Sequence, residues 1–152
     1  MQLHTYALSK SRDLKSYIFW SSGPNGFVRK LIKFQLISFE DQLYNLAFGD
    51  SALNSNFIDD RAVSNNGDTQ IILATVAIAV SHFMEDHPGA TVFATGSTIA
   101  RTRLYQMNIS RFFSEIPSNF VVKGYLSGEW EEFRINTNYD AFLLEQKGLN
   151  LN

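Results

Sequence analysis

Apolar and polar residues follow two different periods along the chain, and the change of period marks the predicted elements. In the first fifty residues the period is short, as expected for strands that bury one face. Strand-like runs at 16–20 and 27–37 flank the turn sequence SGPNG at 22–26, which predicts a β-hairpin. A further strand is predicted over 42–48, where the pattern ends at Gly49-Asp50.

The second half of the chain combines helical and extended patterns. Apolar residues with the 3.6-residue period of a helix run from a cap at Asn66 or Asp68 to about Asp86. The remaining elements are strands over 90–95, 119–126, 130–135 and 139–146 and a second helix over 98–114. The pattern of the last segment also fits a helix. This order predicts an α+β fold in which a curved, mainly antiparallel sheet packs against two helices.

The length and composition favour a single domain. With 152 residues, of which 45% are hydrophobic, the chain can bury one core without a disulfide or a metal. We therefore expect one domain over 1–147 and a C-terminal tail at 148–152. The polar stretch at 50–67 is expected to be a solvated loop, although loops of this length also carry function.

Charge and cysteine content exclude several classes of function. A formal net charge of −2 gives no overall basic field for nucleic acid or an anionic membrane, so any nucleic-acid contact must be local. Cysteine is absent, which excludes thiol chemistry, thiolate metal sites and disulfides. The N-terminal segment lacks the apolar region of a signal peptide, and the apolar run at 71–80 is shorter than the roughly 20 residues of a membrane span. These features predict a soluble cytoplasmic protein without a membrane partner.

Two turns are predicted to meet at one rim of the domain. Because the sequence HPG at 87–89 reverses the chain, the strand that returns along the first helix should end near the start of that helix. The residues brought together are Asn65, Asn66, Asp68, Gly96, Ser97 and Thr98. Two helix N-termini would share this rim, and their free N–H groups and partial positive charge favour an anion.

Arg101 is the cation of the second helix that most needs a partner. It lies between two apolar rows and near the helix N-terminus, where a guanidinium is costly unless it is paired. Two alternatives are open: a structural ion pair with Asp59, Asp60 or Asp68, or a bound phosphate or other anionic substrate. In the second case Tyr105, one turn further along the helix, would help to orient the ligand.

Other polar residues of the two helices are predicted to lie on solvent-exposed faces. Arg103 groups with Gln106 and Ser110, so it is either a solvated surface cation or a contact to the backbone of a nucleic acid. On the first helix, Thr75, His82 and Asp86 fall close together and form a thin solvent-exposed strip.

The signatures of known catalytic sites are weak. Ser97 or Thr98 is interpreted as the N-cap of the second helix rather than as a nucleophile or phosphate ligand, because the lysine of a P-loop is missing. The three histidines do not have the spacing of a metal site. The adjacent carboxylates of Asp59 and Asp60 give little support to a metal-assisted hydrolase. We therefore predict no metal and no cofactor, and the pattern does not decide whether the chain is an enzyme.

A basic and aromatic strand pair offers another surface. Arg29 and Lys33 alternate with apolar residues on one strand, and Tyr17, Phe19 and Trp20 lie on the neighbouring strand. Such a face can bind single-stranded nucleic acid by stacking and phosphate contacts. In the alternative, which we prefer at this stage, the aromatic residues fill the core and the basic side chains solvate the far face.

Several segments resemble a known family. They are YNLAFGD at 44–50, VSNNGD at 63–68, ATV at 74–76, ATGST at 94–98 with ARTRLY at 100–105, GEW at 128–130 and YDAFL at 139–143. Along nearly the whole chain they resemble an uncharacterised bacterial family of about this length. The resemblance implies a single domain and a bacterial source, and it carries no activity.

Two hypotheses of function follow. In the first, a small bacterial protein binds a nucleotide, RNA or another phosphate-bearing ligand at the rim, where Arg101 holds the anion and the turn at 96–98 offers N–H groups. Arg103 and Tyr105 would orient the ligand, and Asn65, Asn66 and Asp68 would complete the site. Because the chain is small and resembles a bacterial family, we also expect that it could be the effector of a toxin–antitoxin pair. In the second hypothesis, the same residues form a structural ion-pair network, and a sheet face or edge binds a protein partner.

Overall fold

A computed structural model describes residues 4–59, 66–116 and 118–146. Within these ranges the strands are β1 (Ser9–Lys10), β2 (Ser16–Gly23), β3 (Gly26–Ser38), β4 (Leu43–Asp50), β5 (Thr91–Ala94), β6 (Phe120–Leu126), β7 (Glu129–Glu132) and β8 (Ala141–Gln146). The helices are α1 (Thr69–Asp86) and α2 (Ile99–Phe112), and a short 3-10 helix at Phe113–Glu115 follows α2. No helix of the described ranges is long and apolar enough to cross a membrane.

The strands form one open, mixed sheet in the order β1-β2-β3-β4-β5-β8-β6-β7. Antiparallel pairing joins β1 to β2, β2 to β3, β5 to β8, β8 to β6 and β6 to β7. Strands β4 and β5 are parallel, which requires the long connection that contains α1. The predicted α+β fold, with a mainly antiparallel sheet and two helices, is confirmed.

The predicted elements agree with the observed ones apart from their ends. The hairpin is formed by β2 and β3, and its turn includes Gly26 at a φ of 84°, a conformation that glycine adopts without steric cost. The segment 139–146 contains a strand rather than a helix, and β7 ends at Glu132, earlier than predicted. The two-residue strand β1 is too short to leave a periodic signal.

The residues of the chain cluster into two compact units. The first unit draws on the described residues of Met1–Phe34 and Ala47–Asp86, and the second on those of Gln35–Leu46 and His87–Asn152. Strands β3 and β4 contribute residues to both units. The single domain over 1–147 stays a prediction, and the predicted tail at 148–152 lies outside the described residues.

The core of the first unit lies between α1 and one face of the β2–β3 hairpin. The ring of Phe34 stacks on that of Phe83 with centroids 4.0 Å apart, and Tyr17 packs edge-on against Phe34 at 6.0 Å. Tyr17 and Phe19 are buried, as the preferred interpretation of this strand predicts. Trp20 points to the opposite face of β2 and is 45% exposed.

Thr75 of α1 is fully buried, so its predicted place on a wet strip is wrong. Its Oγ1 donates to the carbonyl of Ile71 at 2.7 Å and accepts from the N–H of Tyr6 at 2.9 Å. A threonine whose hydroxyl is satisfied in this way can enter a core. The acceptor role depends on Tyr6, which lies 69 residues away in sequence and outside any pattern of the helix.

The second unit has an aromatic core of its own. The ring of Phe133 lies 5.4 Å from that of Tyr139, 6.2 Å from that of Phe142 and 5.3 Å from that of Phe113, measured between centroids. A Cβ atom on Gly124 of β6 would lie 2.4 Å from the Tyr139 ring. The glycine therefore leaves the space that this tyrosine occupies.

Two fully buried tyrosines differ in how their hydroxyl groups are satisfied. The Tyr139 hydroxyl donates to Glu131 Oε2 at 2.7 Å and accepts from the N–H of Arg134 at 3.0 Å. The Tyr17 hydroxyl has no hydrogen-bond partner among the described residues. Burial raises the pKa of Tyr17 to about 12, and the charges of Asp86 and Glu85 act in the same direction.

We predict that Tyr17→Phe keeps or increases the free energy of unfolding, by up to about 1 kcal/mol, because it removes a buried polar atom without a partner. Tyr139→Phe is the matched control and should lower the free energy of unfolding by about 1 kcal/mol or more, since the backbone N–H of Arg134 loses its acceptor. Urea denaturation followed by circular dichroism measures both. A loss of stability in Tyr17→Phe equal to that in Tyr139→Phe would contradict this account of Tyr17.

Candidate functional site

The turn before α2 is held by a short series of hydrogen bonds. Thr98 caps the helix, because its Oγ1 accepts from the backbone N–H of Arg101 at 3.2 Å. The Thr102 hydroxyl donates to the carbonyl of Thr98 at 3.1 Å and accepts from the N–H of Gly96 at 3.0 Å. The predicted N-cap is therefore confirmed at Thr98, and Ser97 lies exposed beside it.

Gly96 is required by close packing. A Cβ atom at this position would lie 2.4 Å from the backbone nitrogen of Thr102 and 2.6 Å from the carbonyl carbon of Arg101. Atoms at those distances overlap, so any side chain would push the turn away from the helix. The glycine thus lets the turn fold back on the beginning of α2.

Arg103 and Gln106 fasten α2 to the segment that precedes β8. Arg103 Nη1 donates to the carbonyl of Tyr139 at 2.8 Å. Gln106 accepts from the N–H of Tyr139 at 2.9 Å and donates to the carbonyl of Thr137 at 2.6 Å. These side chains therefore satisfy backbone groups that need partners when buried.

The predicted wet face formed by Arg103, Gln106 and Ser110 is wrong. Gln106 is only 8% exposed, whereas Met107, which belongs to a predicted apolar row, is 52% exposed. The reason is that the backbone around Tyr139 recruits the long polar side chains of α2. Arg103 is thereby a structural residue, and its charge is directed at a carbonyl oxygen.

Arg101 and Tyr105 lie one turn apart on α2. Tyr105 is buried, and burial raises the pKa of its hydroxyl to about 12, while the charge of Arg101 acts in the opposite direction. Arg101 is half-buried in a first helical turn that contains no acidic residue. The beginning of α2 therefore combines a guanidinium, the positive end of the helix dipole and a tyrosine hydroxyl that stays protonated.

Asn66 closes the β2–β3 hairpin from a distant part of the chain. Its Oδ1 accepts from the N–H of Asn25 at 2.7 Å, and its Nδ2 donates to the carbonyl of Gly26 at 3.0 Å. A Cβ atom on Gly23 would lie 2.2 Å from the Asn66 carbonyl oxygen. Asn66 is therefore part of the scaffold of the hairpin. Asn65, the neighbouring predicted site residue, lies outside the described residues.

Asp68 is a buried carboxylate immediately before α1. Its Oδ2 accepts from the hydroxyl groups of Tyr6 and Ser21, both at 2.5 Å, while Oδ1 has no hydrogen-bond partner in the described ranges. Burial and the hydrogen bond to Asp68 raise the pKa of Tyr6. The predicted side-chain cap of α1 by Asp68 or Asn66 is wrong, because both side chains bond to the N-terminal segment and the hairpin instead.

The predicted site residues fall into the two units. Asn66 and Asp68 belong to the first unit, and residues 96–105 belong to the second. The rim shared by two helix N-termini stays a prediction. Asp59 pairs with β4 through its backbone, and Asp60 lies outside the described residues. Across the ranges that the structure describes, no three His, Asp or Glu side chains form a group that could hold a metal ion.

Comparison with known proteins places this chain in a family. The family model described as "Family of unknown function (DUF6934)" matches residues 2–147. The chain belongs to this family. The predicted resemblance to an uncharacterised family is thereby confirmed. No curated protein and no solved structure matches the chain.

Two buried cations of this DUF6934 chain escape the sequence pattern. Arg29 and Lys30 are consecutive residues of β3, so their side chains lie on opposite faces of the sheet. Lys30 forms an ion pair with Asp50 at the end of β4. Arg29 binds the loop after β4, so the described part of that loop, at 51–59, is fastened to the strand rather than fully solvated. The sequence feature that could have indicated a buried cation is Asp50, an acidic residue at the end of a mostly apolar strand.

Replacing Arg103 tests its structural assignment. We predict that Arg103→Ala lowers the free energy of unfolding by about 1.5–3 kcal/mol, because the carbonyl of buried Tyr139 loses a charged donor. Arg111→Ala, on the exposed last turn of the same helix, is the matched control and should change stability by less than about 1 kcal/mol. Thermal and urea unfolding of both variants provide the measurement. Equal stability of the two variants would mean that Arg103 is a solvated cation after all.

Proposed function

We propose that this member of the DUF6934 family binds a phosphate-bearing ligand, such as a nucleotide or RNA, at the exposed turn that begins α2. The observation that carries the proposal is the half-buried guanidinium of Arg101 in a first helical turn without an acidic residue. A helix N-terminus disfavours a cation there, and an anion that binds both the helix end and the guanidinium reverses this cost.

The neighbouring residues take different roles in this site. Arg101 supplies charged donors to the anion, and Ser97 and Thr98 lie exposed at the turn, where hydroxyl or N–H groups can contact a ligand. Tyr105, one turn further along the helix, would supply a neutral O–H group to orient the ligand. Of the residues predicted in the second unit, Gly96 and Arg103 position the turn and the helix rather than contact the ligand.

The way α2 is held supports a binding role for its first turn. Its hydrogen bonds to the segment before β8 come from Arg103 and Gln106, which follow Arg101 within about one and a half turns of the helix. Thr102 ties the preceding turn to the same helix. Groups fixed in this way lose little freedom on binding, so a modest number of contacts gives useful affinity.

Arg101→Ala tests the proposed site directly. Isothermal titration calorimetry with inorganic pyrophosphate and with ribonucleoside 5′-monophosphates should show binding to the native chain and a loss of affinity of about tenfold to a hundredfold in the variant. Arg111→Ala makes the same change of net charge on the same helix and should bind normally. An affinity of Arg101→Ala equal to that of Arg111→Ala would refute the site, and unfolding of Arg101→Ala would indicate a structural cation.

We propose in addition that the ligand is an RNA and that the chain is the effector of a toxin–antitoxin pair, as its size suggests. Induced expression in a bacterial host should then arrest growth, and the arrest should disappear in Arg101→Ala expressed at the same level. Co-expression of the neighbouring gene should restore growth to the native strain. Normal growth with the native chain at a verified protein level would remove the toxin role and leave ligand binding to be judged by calorimetry.

The alternative function is a non-enzymatic protein-interaction module. It is supported by the exposed apolar residues Leu36 and Ile37 at the end of β3 and Phe39 just after it, and by the hydrogen bonds that Arg103 and Asn66 make to backbone groups. Under this alternative, Arg101→Ala alters stability and no phosphate-bearing ligand binds the native chain.

A further inference from the structure

The outer face of the β2–β3 hairpin carries a second cluster of cationic and aromatic side chains. We call it the Arg29 face and define it by Trp20, Phe27, Arg29 and Lys33. In the register of the hairpin, Trp20 lies directly opposite Arg29, and Ser22 lies opposite Phe27. Because side chains alternate along a strand, these residues share the face that points away from α1. All of them belong to the first unit.

Arg29 is a buried guanidinium that pairs with no carboxylate of the described residues. It is only 9% exposed, and its Nη1 donates to Ser51 Oγ and to the carbonyl groups of Ala52 and Ser55, at 2.9, 2.8 and 2.9 Å. Neither Nε nor Nη2 has a hydrogen-bond acceptor within the described chain, and none of the described carboxylates forms an ion pair with Arg29. Nε and Nη2 form the edge of a guanidinium that binds phosphate in a bidentate manner.

Aromatic rings flank this cation and are exposed. Trp20, its cross-strand partner, is 45% exposed, and Phe27, two residues earlier on β3, is 77% exposed. Side chains at such diagonal positions lie within reach of one another. Two large aromatic side chains exposed at diagonal positions of one face can form an apolar patch, and exposed apolar patches mark binding surfaces.

Lys33 extends the positive charge along the same strand. Its Nζ donates to the carbonyl of Asn56 and lies 5.8 Å from the centre of the Phe57 ring. Phe57 is also exposed. The loop thus adds a third ring beside a second cation, and no acidic residue belongs to the face as defined.

We infer that the Arg29 face binds single-stranded nucleic acid. Bases stack on Trp20 and Phe27, while Arg29 and Lys33 contact phosphate oxygens. The rings require unpaired bases, so duplexes are excluded from the stacking contacts. A protein segment would also cover the aromatic rings, but the uncompensated Arg29 guanidinium favours a ligand that brings regularly spaced negative charge beside flat rings. A local site of this kind is compatible with a net charge of −2.

This inference is independent of the site proposed at α2. The Arg29 face is built from residues of the first unit, whereas Arg101 belongs to the second. Either site can therefore bind a ligand without the other, and variants of each site distinguish the two.

The test measures binding of fluorescein-labelled oligouridylate and oligothymidylate, each about 12 nucleotides long, by fluorescence anisotropy. The native chain should bind the single strands and release them as salt is raised, because phosphate contacts displace counterions. Trp20→Ala/Phe27→Ala should weaken binding about tenfold or more, since each ring stacks a base. Ile78→Ala is the matched control: Ile78 is 42% exposed, belongs to α1, from which this face points away, and should be replaceable without effect on binding.

A second variant examines the cation. Arg29→Lys keeps a donor for the loop carbonyls but removes the free bidentate edge, so affinity should fall severalfold while thermal unfolding remains cooperative. Comparison of the RNA and DNA probes then tells whether the 2′-hydroxyl contributes.

Several outcomes would overturn the inference. They are absence of single-strand binding by the native chain at low salt, equal affinity for a duplex of the same length, and unchanged affinity in the Trp20→Ala/Phe27→Ala variant. If Arg101→Ala alone abolishes oligonucleotide binding, the ligand belongs to the α2 site and the Arg29 face is not involved. If the aromatic variant alone does so while pyrophosphate still binds, the two sites are separate.

Discussion

Buried polar groups of this chain are satisfied by residues that lie far away in sequence, and the scaffold depends on these bonds. The carbonyl and N–H of Tyr139 are both bonded by side chains of α2, more than thirty positions earlier. In the same way, the Asn66 side chain donates a hydrogen bond to the carbonyl of Gly26 in the hairpin turn, forty positions away. Because an unpaired buried amide costs roughly as much as a whole hydrogen bond contributes, these contacts select one arrangement of each unit.

That constraint explains which parts of the fold could be predicted from the sequence. Strands and helices can be predicted from the local periodicity of apolar residues. The hairpin, both helices and most strands are therefore predicted with small errors at their ends. The roles of polar residues depend on partners elsewhere in the chain. Gln106 and Thr75 are predicted to be solvent-exposed because nothing in the sequence of their own helices indicates burial. The hydrogen-bond partners that allow them to be buried lie in other segments. Of the predicted site residues, Arg103 and Asn66 make hydrogen bonds to distant backbone groups for the same reason, and the site itself stays a prediction.

The arginines illustrate why residue type alone is a poor guide to function. Arg103 is satisfied by a carbonyl oxygen of the core, and its removal would leave that oxygen unpaired. Arg101 stands in the first turn of α2, the end of the helix dipole that disfavours a cation. The sequence pattern correctly separates these two residues but assigns the wet position to Arg103, because apolar periodicity cannot detect an acceptor that a distant loop supplies.

The two consecutive cations of β3, Lys30 and Arg29, lie on opposite faces of the sheet and have different partners. Lys30 faces the same side as the buried Phe19, where an ion pair with Asp50 neutralises it. Arg29 faces the side of the exposed Trp20, and its partners among the described residues are a hydroxyl and two carbonyl groups. Neutral acceptors satisfy hydrogen bonds but leave the net charge in place. The inner cation therefore serves the core, whereas the outer one keeps a positive charge beside two exposed rings, which is the combination that a nucleic acid strand can use and a closed core cannot.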